Sequence, residues 1–179
     1  MRNQLFEDIG NCMACDIASE LKAFHRGSTD PDIVFIGESA GAKEIKIGQP
    51  FVGPSGKRLD RWIERNVSAP YAITNVVRCK PPDNGRPTDN EISNCRKWLE
   101  KQIRHYAPKT IIPLGKTAYE AALGPLGKDA YMPMTFRVYT KNTFKSRAIV
   151  YPIPHPRWYI SHGREIPDLD DQTKKLLHL

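Results

Sequence analysis

The residues able to do chemistry in this chain are four cysteines and one oddly placed asparagine. The cysteines come as two pairs, Cys12-x2-Cys15 and Cys79-x15-Cys95, and the sequence holds no others. The opening residues "MRNQLFEDIGNCMACD" carry acids early and lack an apolar run, so no export signal is expected. A reducing compartment follows, in which a structural disulfide framework has no place. Three uses remain for the thiols. They are unrelated buried side chains, a structural zinc site, or ligands of a 4Fe–4S cluster, which also takes four thiolates and tolerates irregular spacing. Zinc ribbons usually show two close knuckles, and the second pair here is wide. Spacing alone leaves zinc and iron–sulfur nearly level.

Asn75 lies near the end of Tyr71–Val77, an apolar, β-branched run of strand length, where a buried strand would ordinarily carry an aliphatic side chain. Cys79 comes shortly after, then a loop rich in proline and glycine. Thr88 with Glu91 has capping-box spacing and opens a helix that carries Cys95. One segment thus joins a polar group at a strand end to two thiols. The stretch "GESAGAKEIKIGQPFVGPSG" reads as a long loop with five glycines from Gly37 to Gly56. Such a loop lets backbone N–H groups approach an anion or a carbonyl. It also carries Phe51, Glu38 and Glu44. The ordinary reading of these is a packed ring and two solvated acids. His155 stands between prolines in "PIPHPRWY"; a lone histidine is usually structural, but a proline-fixed loop after a strand is a rigid mount.

The elements that must position these groups are legible as strands alternating with helices. Asp32–Gly37, Tyr71–Val77, Thr110–Gly115 and the start of Arg147–Pro156 read as strands. Lys57–Val67, residues 88–106 and Lys116–Leu123 read as helices. Asn3–Phe24 suggests one or two helices broken near Gly10, Asp168–Leu179 a terminal helix, and Phe136–Thr140 a strand, paired as a hairpin with the next stretch of chain. This is an α/β pattern, a mainly parallel sheet with helices on both faces. Functional loops then lie beyond the carboxyl ends of the strands, after Gly37, Val77, Gly115 and Pro152. At 179 residues, one domain spanning 1–179 is expected. No stretch reaches membrane-spanning length. The formal charge of +7 points weakly to a polyanionic partner, since basic charge also serves solubility.

Taken in order, "GESAG…GQPFVGPSG", "TNVVRCKPP", the four cysteines and "HP" resemble the iron–sulfur uracil-DNA glycosylases, the thermostable-type family 4 of that superfamily. The resemblance covers about residues 9 to 160. It implies a three-layer αβα fold around a central four-stranded, mainly parallel sheet. It also implies a 4Fe–4S cluster, structural in role, on Cys12, Cys15, Cys79 and Cys95. By the same resemblance Phe51 stacks on an extruded uracil, Asn75 reads its O4 and N3–H edge, and His155 supports negative charge at O2. Glu38 lines the base and the attacking water. Glu44 fills the space a thymine methyl would need. Gly53, Ser55, Gly56, Gly115 and Lys116 sit on loops expected to meet DNA phosphates. The implied protein is a monomeric hydrolase of uracil-containing DNA, acting in base-excision repair in a prokaryotic or viral cytosol without a membrane.

Three departures mark this chain. The family's usual "GEAPG" or "GEGPG" appears as "GESAG", with Ser39-Ala40 in place of the small residue and proline. Ser39 occupies the position where other branches place a catalytic Asp. The family's "ED" pair appears as Glu44-Ile45, and the small residue after His155-Pro156 is replaced by Arg157-Trp158, a cation and an indole placed to brace bent DNA or to pack at the surface. These changes leave two alternatives open: a glycosylase retuned to another damaged or modified base, or a uracil-DNA-binding protein with weak turnover.

Overall fold

Strand β2 (Ile33–Ser39) is the axis of the sheet, and its first five residues are buried. A strand covered on both faces needs a near-continuous apolar run, which "IVFIG" supplies. The computed structural model describes residues 2–18, 21–124, 139–143 and 146–179. Strands β3 (Tyr71–Val77) and β4 (Thr110–Pro113) flank β2, both parallel to it, and β6 (Ser146–Val150) runs parallel beyond β4. Two antiparallel strands close the edges, β1 (Arg26–Gly27) against β3 and β5 (Tyr139–Thr143) against β6. The order is β1-β3-β2-β4-β6-β5. The four expected parallel strands are the centre of a six-stranded sheet. The expected Phe136–Thr140 strand falls partly outside the described residues; its described residues, Tyr139 and Thr140, begin β5, which pairs antiparallel with β6 as expected.

Alternation along β2 divides the core into two layers. Val34 and Ile36 face Leu99 and Ile103 of α4 (Asp89–Tyr106) and Ala118 of α5 (Lys116–Leu123). Ile33 and Phe35 face Leu59, Trp62 and Ile63 of α3 (Pro54–Asn66) and Tyr159 of α6 (Pro156–Ser161). This is the three-layer αβα arrangement. The expected capping box opens α4: Glu91 N–H donates to Thr88 Oγ1 at 3.3 Å, and Thr88 N–H to Glu91 Oε2 at 2.7 Å.

The long loop expected from Gly37 to Gly56 is shorter than it reads. Strand β2 continues to Ser39, and a six-residue helix, α2 (Ala42–Ile47), interrupts it. No residue of α2 is buried, so it has no apolar stripe for a periodicity argument to find. Helix α3 starts earlier than expected, at Pro54, a residue whose fixed φ suits the first helical turn. Helix α1 (Arg2–Gly10) stops at the glycine as expected, but the helical reading of Asn3–Phe24 does not resume among the described residues beyond it: Cys12 and Cys15, expected on a helical cluster-ligand segment, lie in a turn region. The terminal helix α7 (Asp171–Leu176) is capped by Asp170, which accepts the Thr173 N–H at 2.8 Å. Among the described residues, no helix is long and apolar enough to cross a membrane.

Candidate active site

The register of β2 on β3 sets Gly37 beside Asn75. Asn75 is 0% exposed, and neither its Oδ1 nor its Nδ2 has a hydrogen-bond partner among the described residues. A buried amide left unpaired costs about 1–3 kcal/mol per group, so an orphan of this kind asks for a ligand. Gly37 makes the room. A Cβ there would lie 2.4 Å from Asn75 Oδ1 and 2.3 Å from Phe51 Cε2.

Phe51 is held inward by its own backbone. Its φ of 57° lies in the left-handed region, which a bulky side chain rarely adopts, and its ring is 3% exposed. Two neighbours fix that turn. The Arg26 guanidinium donates to the Phe51 carbonyl and bridges to Asp60 of α3. A Cβ on Gly56 would stand 1.7 Å from the same carbonyl oxygen, so no side chain fits there.

His155 faces Phe51, with ring centroids 5.6 Å apart. Burial pushes the imidazole down to about 4, against an opposing pull from Glu38 and a reinforcing push from Arg157. The ring is therefore neutral at pH 7. Its Nδ1 accepts the Arg157 N–H at 3.1 Å, which leaves the ring proton on Nε2. Gly115 has φ +85°, and a Cβ there would touch the His155 Cβ at 3.0 Å. A neutral donor is thus fixed opposite an aromatic floor.

Phe51, Gly115 and His155 border a cleft of about 1100 Å³ at the carboxyl ends of the strands. That is above the usual volume for a single small ligand. Glu38, at its mouth, accepts from the Thr117 hydroxyl and lies 3.7 Å from Arg86 Nε. Glu44 also borders the cleft, but its carboxylate accepts the Gly41 N–H at the start of α2, half of a capping box whose glycine has no side chain to complete it. Ser39, Gly53, Ser55, Gly115, Lys116 and Arg157 all line it. Gly56 does not; it is buried beneath Phe51. Asn75 is set deeper, behind Gly37. Trp158 lines the cleft too, half-buried, stacked on His162 at 4.3 Å with Arg164 over its ring.

The four cysteines, drawn from the turn after α1, the end of β3 and the middle of α4, ring one small cavity. None is in a disulfide. Among the described residues no set of three or more His, Cys, Asp or Glu side chains is gathered closely enough for one metal ion. Three N–H donors nevertheless converge on the sulfurs. Trp98 Nε1 is 3.1 Å from Cys12, Asn94 Nδ2 3.6 Å from Cys15, and an Arg78 nitrogen 3.8 Å from Cys95. Donors aimed at sulfur suit thiolates spread around a larger group, whose outer contacts tune it.

The sequence profile of the Uracil DNA glycosylase superfamily matches residues 24–177. The chain belongs to that superfamily. It is 32% identical to a type-4 uracil-DNA glycosylase of Archaeoglobus fulgidus over 97% of this chain and 90% of that one. A type-4 enzyme of Saccharolobus solfataricus is 32% identical over 84% of this chain and 73% of its own. One of Sulfurisphaera tokodaii is 29% identical over 97% and 82%.

For a superfamily member, four structurally placed residues carry little mark in the sequence. Arg26 and Arg86 read as ordinary surface cations, Thr117 as an ordinary helix residue, and Arg78 as part of "VVRC". The only sequence signal is for Arg86, an arginine wedged between glycine and proline in a loop already marked as unusual. Gly37 yields a direct test. Gly37→Ala should abolish base binding, because its methyl occupies the space between Asn75 and the Phe51 ring. The overpacking costs about 1–3 kcal/mol and leaves the chain folded. Normal turnover by a folded Gly37→Ala protein would place the base elsewhere.

Proposed function

We propose that this protein is a monofunctional uracil-DNA glycosylase, hydrolysing the N-glycosidic bond of deoxyuridine in DNA to free uracil and an abasic site. The observation that carries this reading is Asn75, a fully buried amide without a partner among the described residues, next to a glycine-made gap and an inward-held ring. An amide donates and accepts, matching O4 and N3–H of uracil. The base must leave the duplex to reach it, and the Phe51 ring gives it a stacking floor.

Breaking the bond sends the electron pair to the leaving uracil and leaves an oxocarbenium-like sugar. Water then adds at the sugar carbon and gives up a proton. The protein's largest contribution is a prearranged donor for the charge on the base. His155, neutral and with its proton on Nε2, suits O2 of the leaving anion. Glu38, held by Thr117 and Arg86, suits the cationic sugar and the incoming water. Gly53, Ser55, Gly115, Lys116 and Arg157 on the cleft walls suit DNA phosphates, with Ser39 and Glu44 against the base.

We assign Cys12, Cys15, Cys79 and Cys95 as ligands of a 4Fe–4S cluster, which when bound cross-links the N-terminal turn to the segment after Asn75. Protein purified without air should be brown, with about four irons and four inorganic sulfides per chain. Stoichiometric zinc without iron in freshly isolated protein would overturn that assignment. The activity is tested with oligonucleotides carrying uracil, hypoxanthine, xanthine or hydroxymethyluracil. Abasic product from uracil is expected. Product only from another base, or retention of uracil-DNA without product, would replace the proposal.

A further inference from the structure

Arg78 leaves β3 immediately before Cys79 and is 1% exposed. Its guanidinium donates to the Val76 carbonyl at 2.8 Å and to Gln102 Oε1 at 2.9 Å, and stands 3.8 Å from Cys95 Sγ. Its Nε has no partner among the described residues. Among the described residues, no carboxylate forms an ion pair with it. Arginine cannot shed its proton, so burial does not neutralise it. A buried cation with only neutral partners is among the costlier arrangements in a fold. Lys22, 6% exposed, borders the same cavity with its ammonium on the Gly10 carbonyl at 2.6 Å. Two cations are therefore sunk beside four thiols.

We propose that Arg78 is the buried counter-charge of the cluster and raises its reduction potential. The inference rests on the iron–sulfur assignment above. Four thiolates around the cluster leave it net negative, and each added electron deepens that charge. A fixed cation near the sulfurs stabilises the reduced form more than the oxidised one. The same guanidinium also steadies the base reader. It grips the Val76 carbonyl on one side of Asn75, while Gln102 meets the Thr74 hydroxyl on the other at 3.0 Å. Arg78 is a positioning residue in this sense. It does not line the cleft.

The test compares full-length wild type, Arg78→Met and Arg78→Lys, purified without air, for iron content and midpoint potential by protein-film voltammetry. Arg78→Met should shift the potential downward and lose iron to a chelator several-fold faster. Arg78→Lys, which keeps the charge, should stay near wild type. Arg78→Met with full iron and an unmoved potential would overturn the proposal. Should Arg78→Met fail to fold, Arg78→Lys decides. A loaded cluster at wild-type potential supports the counter-charge, and loss of the cluster despite the retained charge overturns it. Wild-type protein without iron would instead sink the iron–sulfur assignment, whatever the variants do.

Discussion

Asn75→Ala should lower single-turnover uracil release by about 10²–10³-fold, the usual cost of removing one prearranged polar group from an active site, with no loss of thermal stability. The pairing of these outcomes is the informative part. Most buried asparagines bond to their surroundings, and truncating them unfolds the protein by stranding a partner. Asn75 has no such partner among the described residues, so alanine strands nothing there. Asn75→Asp should also lose uracil activity, because a carboxylate only accepts, and should gain slow release of cytosine, whose exocyclic amine donates. Wild-type cleavage by Asn75→Ala would make Asn75 a packing residue and void the proposed pocket.

His155→Ala should cost a comparable factor in rate, and His155→Gln, which keeps an N–H donor, should recover part of it. The pH dependence separates a buried neutral donor from a surface histidine. Burial lowers the folded value to about 4, below the ordinary value near 6.5. The unfolded chain therefore takes up this proton first as pH falls. Stability linked to His155 is complete above about 6.5 and is lost as pH drops from there through about 4. The wild-type melting temperature should fall across that window, and His155→Gln should fall less. Activity should be level from neutral pH down to about pH 5, where the ring is still neutral. A break in rate near pH 6.5 would mean that the imidazole is exposed and ordinary.

The features legible in the chain rest on signals that are local along it. The Tyr71–Val77 strand and its misplaced Asn75, the Thr88–Glu91 cap and the Lys116–Leu123 helix each depend on neighbours in sequence. The parallel sheet came from alternating strands and helices. Helix α2 was hidden because it buries nothing. The contacts that complete the site join residues far apart in sequence, and no short-range pattern announces them. Arg26 reaches Phe51, Thr117 reaches Glu38, and Arg78 reaches Gln102. The gap behind Gly37 is likewise a product of register between two strands. The glycine is visible in the sequence, but the space it clears is not.

The locking of Phe51 divides the cleft by its tolerance of change. On one wall stands Phe51, and behind it Gly37, Gly56 and Arg26 each depend on its placement. A methyl on either glycine collides with the phenylalanine, and the arginine holds the turn that neither glycine can vacate. On the other wall, Ser39 is half-buried at a strand end, and α2 has no buried residue to defend. In a library of single substitutions, the first wall should appear as a blank column and the second as a broad field of survivors. Drift in base preference therefore has the α2 side of the cleft open to it, the side on which this chain carries the half-buried Ser39 and Glu44.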